Sequence, residues 1–148
     1  MLEEYLNIRY TKLYFVIEFV EDTELVRDKA SALRGGMGEM LLRIHCIADR
    51  QCEKCSFAEE CIVQRIMYSP MVSKPGYMKE GNSVGYILDC SDKKKLYRAG
   101  DLMEFELLLF GNSIVHFAEY VSAFAMLGQT GLGKNKSRFQ IHEIRNLY

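Results

Sequence analysis

The stretch Gly128-Gln-Thr-Gly-Leu-Gly-Lys-Asn-Lys-Ser-Arg-Phe139 links the last predicted helix to the last predicted strand. Its glycines permit positive φ angles and allow another backbone to approach closely. Cations follow at every second position, an alternation typical of a strand, so we expect them on one side of the chain. A glycine turn that runs into a cationic strand predicts a site for a phosphate chain. Its residues are Gly128, Gly131, Gly133, Lys134, Lys136 and Arg138.

The same stretch contains G-x-x-x-x-G-K, most of a nucleotide-binding P-loop. In that motif a Ser or Thr follows the lysine and contacts magnesium, whereas this chain has Asn135. The motif also lies between a strand and a helix, so that the phosphate meets a helix N-terminus. Here a helical pattern precedes the glycines and a strand pattern follows them. The phosphate would meet the negative end of a helix dipole, which argues against an ATPase.

Hydrophobic periodicity on either side of this stretch predicts four strands and two helices. The predicted strands are Arg9–Val20, Val84–Cys90, Asp101–Phe110 and a last strand that carries Phe139 and Ile141. One helical stripe contains Leu33, Met37, Met40, Leu41 and Ile44, and the other contains Ile114, Phe117, Ala118, Val121, Phe124 and Ala125. The order β-α-β-β-α-β predicts an α+β, ferredoxin-like fold with both helices on one face of an antiparallel sheet. We expect this packing to bury Leu13, Phe15, Ile17, Phe19, Phe105, Leu107, Phe117, Val121 and Phe124.

The first strand has two different faces. One is wholly apolar, whereas the other mixes tyrosine with charge and includes Lys12 and Tyr14. Such a mixed face is typical of a sheet surface that touches water, and it also suits a platform on which bases stack. Both interpretations remain open at this stage.

Four of the five cysteines lie in one segment, Cys46-x5-Cys52-x2-Cys55-x5-Cys61. The C-x-x-C pair can occupy two positions around a metal, and the outer cysteines can complete a four-thiolate shell. This pattern predicts zinc or an iron–sulfur cluster in an insert over residues 46–61, with a structural role and no part in the chemistry. Free thiols are the alternative. The remaining cysteine, Cys90, is predicted to be a small buried apolar residue.

The overall composition favours one globular domain over the 148 residues. The formal net charge is −1, so a nucleic-acid site would have to be local and could not rest on bulk charge. No basic-then-apolar leader opens the chain, and no apolar run approaches the roughly 18 residues of a membrane helix. We therefore expect a cytoplasmic protein that does not contact a membrane.

Several motifs together resemble the RAMP superfamily of CRISPR systems, and more narrowly the amino-terminal half of pre-crRNA-processing endoribonucleases. The glycine-rich stretch Leu127–Phe139 is similar to the loop that marks this superfamily. Further similarity lies in Leu33–Leu42, in the C-x2-C-x5-C insert after the first helix and in the Phe110-Gly connection into the second helix. The resemblance covers nearly the whole chain. It implies a single RAMP-type domain over residues 1–148.

The resemblance also implies a function. It implies binding of CRISPR repeat RNA by the glycine-rich stretch, with Lys12 and Tyr14 as further contacts, and metal-independent cleavage of pre-crRNA in active members. Family members often place a catalytic histidine at the end of the first helix, which makes His45 the candidate catalytic residue. The expected partners are repeat RNA and a second RAMP domain or other CRISPR subunits, since family nucleases usually carry two tandem domains.

Two alternatives to catalysis by His45 and two alternatives to RNA processing stay open. His45 could instead bind the metal next to Cys46, or could be a helix-end cation stabilised by the dipole. The chain could be a noncatalytic RNA-binding or scaffold subunit. It could also be a metal-cluster protein whose cysteine insert is its function. The other histidines, His116 and His142, are predicted to be exposed to solvent.

Overall fold

A computed structural model describes residues 9–46, 61, 63, 69–70, 82–83 and 85–146. Its elements in chain order are β1 (Tyr10–Phe19), β2 (Thr23–Glu24), α1 (Ala30–His45), β3 (Ser69–Pro70), β4 (Asn82–Ser83), β5 (Tyr86–Asp89), β6 (Leu96–Tyr97), β7 (Leu102–Phe110), a 3-10 helix (Gly111–His116), α2 (Phe117–Thr130) and β8 (Phe139–Asn146). The four long strands and both helices lie where periodicity predicts them. The short pairs β2–β6 and β3–β4 are additional.

The main sheet has four strands in the order β5-β7-β1-β8, and every neighbouring pair is antiparallel. Strand β1 is central: Phe15 lies opposite Phe105 of β7, and Phe19 lies opposite Phe139 of β8. The register of β1 against β8 shifts between Val16 and Ile17. The chain is therefore an α+β protein with an antiparallel sheet and two helices. Its strand order is compatible with the predicted ferredoxin-like arrangement.

The core lies between one face of this sheet and the two helices. The rings of Phe15 and Phe105 stack with centroids 4.8 Å apart, and Phe124 of α2 lies 5.2 and 4.9 Å from them. Helix α1 adds Leu33, Met37 and Leu41 to the same cluster. Aromatic pairs at this spacing add to the stabilisation from apolar burial. Cys90 is buried as predicted.

The start of α2 differs from the prediction. Gly111–His116 form a 3-10 helix, so the α-helix begins at Phe117. At 3.6 residues per turn the buried Tyr120 and Leu127 lie about 60° and 80° around α2 from Phe117, so the buried face of the helix is rotated from the predicted stripe. Phe117 is 53% exposed and Val121 is only partly buried, contrary to the prediction. The buried stripe is instead Tyr120, Ala123, Phe124, Leu127 and Gly128.

Of the helices that the structure describes, none is both long enough and apolar enough to cross a membrane.

Candidate nucleic-acid interface

The glycine-rich stretch forms a tight hairpin and not the predicted cationic strand. Leu132 and Ser137 pair with backbone hydrogen bonds of 2.8 and 3.0 Å, and Lys136 N–H donates to the Gly133 carbonyl at 3.2 Å. Strand β8 begins only at Phe139. Lys136 has φ 52, which is the left-handed region and is incompatible with a strand. We call residues 133–136 the hairpin tip.

Two of the glycines are required by the hairpin itself. Gly131 has φ 112, and a Cβ at this position would overlap the Lys136 backbone. A Cβ on Gly128 would overlap the Phe139 carbonyl oxygen, where α2 packs against the start of β8. Glycine is therefore needed for close contact within the chain at these two positions. Contacts within the chain are thus enough to explain why Gly128 and Gly131 are glycines, without the phosphate contact that the sequence predicted.

The hairpin exposes two of the three predicted cations. Lys134 and Lys136 are exposed, and within the described part of the chain neither has a carboxylate partner. Arg138 instead contacts Glu21, with Nε 3.6 Å from the carboxylate and the backbone N–H donating to it at 3.0 Å. These bonds lower the pKa of the Glu21 carboxyl. The positive charge at the tip is therefore carried by the two lysines.

A small groove separates the hairpin tip from α1. Its volume is about 250 Å³, and Lys136 lines it from the tip. On the side of α1 a Cβ added to Gly35 would meet nothing within 4 Å, so the helix backbone is open there. The neighbouring Gly36 has a packing role, since a Cβ there would lie 2.7 Å from Leu127. The wall on α1 therefore carries an accessible backbone and a carboxylate, Glu39, that is paired with Arg43 at 3.2 Å, and the opposite wall carries Lys136.

A larger groove lies on the other side of the tip, and the sequence did not reveal it. It is lined by Lys134 and Asn135 from the tip and by Arg27, Lys29 and Lys95 from two segments distant in sequence. Both grooves include Ala32 and Gly133, so they adjoin at the tip. Of the four cations that line this groove, the sequence had indicated a role only for Lys134.

Lys12 and Tyr14 lie elsewhere, on the sheet face that the helices leave open. Lys12 forms an ion pair with Glu106 at 3.2 Å, and the Tyr14 hydroxyl donates to Glu104. That hydrogen bond raises the pKa of Tyr14 to about 12. The structure does not bring these two residues together with the hairpin tip. Their carboxylate neighbours make this face a poor surface for phosphate.

His45 is half-buried at the C-terminal end of α1, beside Cys46. At 3.6 residues per turn, it lies about 40° around the helix from the buried Leu41 and about 200° from Arg43, which lines the small groove. His45 therefore points toward the core side of α1, away from the groove. His142 is exposed as predicted. His116 is half-buried, with Nδ1 4.0 Å from the Glu119 carboxylate.

The predicted metal insert lies mostly outside the described residues, which include neither Cys52 nor Cys55. Cys46 and Cys61 are half-buried, and within the described ranges neither is part of a disulfide. Among the described residues, no group of three or more His, Cys, Asp or Glu side chains could hold a metal ion. The four-cysteine site stays a prediction.

Comparisons with known proteins agree with the fold. A family model described as "AF_1859_N: N-terminal domain" matches residues 7–148, so the chain belongs to this family. No curated protein matches the chain.

Two solved structures that match with TM-scores above 0.5 are chains of CRISPR complexes. A chain of the Csm3-Csm4 subcomplex of the type III-A CRISPR-Cas interference complex has TM-score 0.54 and 15% identity, over 93% of this chain and 75% of that one. A chain of the type III-B Cmr-beta complex bound to cognate target RNA has TM-score 0.52 and 11% identity, over 98% of this chain and 62% of that one. A chain described as CRISPR associated protein Cas6 has TM-score 0.44 and 7% identity, over 95% of this chain and 49% of that one. At such identities the first two matches establish a shared fold alone, and they leave the activity open.

Proposed function

We propose that this member of the AF_1859_N family is an RNA-binding domain of a CRISPR ribonucleoprotein. The proposal rests chiefly on one observation, the hairpin tip, where Lys134 and Lys136 are exposed and lack carboxylate partners within the described part of the chain. The shared fold with chains of CRISPR complexes, one of them bound to target RNA, supports it.

Local charge has to supply the affinity, because the chain as a whole has a formal net charge of −1. Phosphate contacts dominate the affinity of proteins for nucleic acids, and each one releases counterions. The small groove next to Lys136 offers such a contact, since the open backbone at Gly35 allows a ribose–phosphate chain to lie close to α1. The RNA we propose is the CRISPR repeat, and the protein partners are a second RAMP domain or other CRISPR subunits.

Metal-independent processing of pre-crRNA is the second candidate function. Its support is the resemblance that places a histidine at the end of the first helix. The His45 Nε2 has no hydrogen-bond partner within the described part of the chain, but it is enclosed and would have to become exposed to meet RNA. In this reaction a 2′-hydroxyl attacks the adjacent phosphate and the 5′-oxygen leaves, so one group must accept a proton and another must donate one. His45 would serve as one of these groups. It points away from the small groove, so RNA held at the tip would have to pass around the end of α1 to reach it.

Labelled repeat RNA incubated with the 148-residue chain in EDTA tests both functions together. We expect a complex whose affinity falls as salt increases, because counterions are released. Cleavage in EDTA that is lost in His45→Ala would support processing, and binding without cleavage would support the noncatalytic alternative. Absence of binding even at low salt would overturn the proposed function.

We further propose that Cys46, Cys52, Cys55 and Cys61 hold one structural zinc ion or one iron–sulfur cluster. We expect about one zinc ion or one cluster per purified chain, lost in the Cys52→Ala/Cys55→Ala variant. The sheet and helices should survive this loss, since their core is built from strands and helices on either side of the insert, and among the described residues of the insert only Cys61 packs against it. Metal analysis together with circular dichroism would check both statements. A metal-free wild-type protein would disprove the metal site. A chain that holds the metal and binds no RNA would instead favour a metal-cluster protein whose insert is its function.

A further inference from the structure

We propose that the larger groove beside the hairpin tip is a second phosphate-binding site, formed by Arg27, Lys95 and Lys134 above the buried Lys29. The site rests on the proposed function in one respect, because we take its ligand to be a phosphodiester of the bound RNA strand. Neither the sequence motifs nor the family match assigns this groove a role.

The walls of the groove come from three parts of the chain that the fold brings together. Strand β2 pairs with β6, and the Leu25 N–H donates to the Lys95 carbonyl at 2.8 Å. These bonds hold the segment that carries Arg27 next to the segment that carries Lys95. The hairpin tip closes the third side, since a Cβ added to Gly133 would lie 3.2 Å from Leu25. The groove, which is open to solvent, has a volume of about 660 Å³, ample for a phosphate with its flanking riboses.

Lys29 gives this groove a buried positive charge. Its side chain is 1% exposed, and Nζ donates to the carbonyls of Asp92 at 2.7 Å and Arg27 at 3.2 Å. The ring of Tyr97 lies 5.6 Å from the same nitrogen. Carbonyls satisfy the hydrogen bonds of an ammonium without neutralising its charge. Burial lowers the pKa of Lys29, and the nearby Asp92 acts in the opposite direction.

The charges around the groove are unbalanced. Four cationic side chains line it against one acidic side chain, Glu24. Within the described part of the chain, Arg27, Lys95 and Lys134 form no ion pair with a carboxylate. The amino-terminal end of α1, which begins at Ala30, adds the partial positive charge of a helix N-terminus. An anion is the ligand that such a surface favours, and a partly desolvated ammonium strengthens that attraction.

The position of the groove indicates how an RNA strand would use it. Because both grooves include Ala32 and Gly133, a strand can cross the hairpin tip with one phosphate beside Lys136 and another beside Lys134. The second phosphate would then be held by Arg27 and Lys95, over Lys29.

The test compares the variant Arg27→Ala/Lys95→Ala with Lys94→Ala/Arg98→Ala, which removes the same charge from exposed positions outside both grooves. We expect the groove variant to bind repeat RNA at least tenfold more weakly and to lower the salt slope by about 1.4 for two lost contacts, with little change in the control. Lys29→Met, which keeps the length of the side chain, should weaken binding in the same direction. A groove variant that binds RNA as the control does would overturn the inference and leave the proposed function intact.

A second measurement separates the two proposals. Titration of the chain with sodium phosphate, against sodium chloride at equal ionic strength, should shift the amide resonances of residues 27–32 and 95 saturably in wild type and not in Arg27→Ala/Lys95→Ala. Saturable shifts in a protein that binds no RNA would support the anion site and overturn RNA as its ligand. Shifts that the groove variant retains, or that sodium chloride reproduces, would overturn the site.

Discussion

The Lys134→Ala/Lys136→Ala variant is expected to bind repeat RNA about a hundredfold more weakly than wild type. A hydrogen bond to a charged group contributes about 1.5 kcal/mol or more, which is about tenfold in affinity for each lysine. The slope of log affinity against log salt should fall by about 1.4, since each contact to a single strand contributes roughly 0.7. Affinity measured by fluorescence anisotropy at several salt concentrations checks both numbers.

The Lys94→Ala/Arg98→Ala variant is the matched control and should change the affinity little. The adjacent Lys95 is left unchanged in this control, because it lines the larger groove. Arg138→Ala should have a smaller effect than either tip lysine, because the Arg138 guanidinium already contacts Glu21. Equal losses in the tip variant and the control would mean that diffuse charge holds the RNA.

The Gly131→Ala substitution is expected to lower the free energy of unfolding by about 3 kcal/mol. A residue with a side chain at φ 112 occupies a region of backbone conformation that costs on the order of 1–3 kcal/mol. The new Cβ would also overlap the Lys136 backbone, so the hairpin would have to move. Urea denaturation followed by circular dichroism measures the change.

Two other substitutions, one in α1 and one in the hairpin tip, compare the effect of a side chain at other backbone positions with its effect at Gly131. Gly35→Ala should stabilise the chain by about 1 kcal/mol, because the residue is in a helix and its Cβ meets nothing. Lys136→Gly should preserve or raise stability by relieving a positive φ, while it weakens RNA binding through the lost charge. A Gly131→Ala variant as stable as wild type would disprove the structural role of this glycine.

Periodicity was sufficient to predict the main sheet and the two helices. The inward residues Phe15 of β1 and Phe105 of β7 are buried as alternation requires, although Val16 on the other face of β1 is buried as well. The prediction was wrong for the buried face of α2. Apolar residues such as Phe117 and Val121 lie outside that face, so the apolar pattern alone did not place its centre at Tyr120, Phe124 and Leu127.

The candidate site could be predicted only in part, because its walls come from distant segments. The glycines correctly indicated a turn, but the alternation of the cations predicted a strand after it. In the structure Lys136 adopts the left-handed region and belongs to the turn. The opposite wall of the larger groove depends on β2 and β6, which are two residues long and carry no periodic signal. Lys29 and Lys95 therefore acquire their role only through the tertiary fold.

The location of bound RNA tests the central claim most directly. Amide chemical shifts of the labelled chain, recorded with and without single-stranded repeat RNA, would identify the face that is contacted. The largest changes should lie at residues 131–138 and 24–32, on the two grooves that flank the hairpin tip. Changes confined to the open sheet face around Lys12, Tyr14 and Glu104, with the hairpin unaffected, would contradict the account.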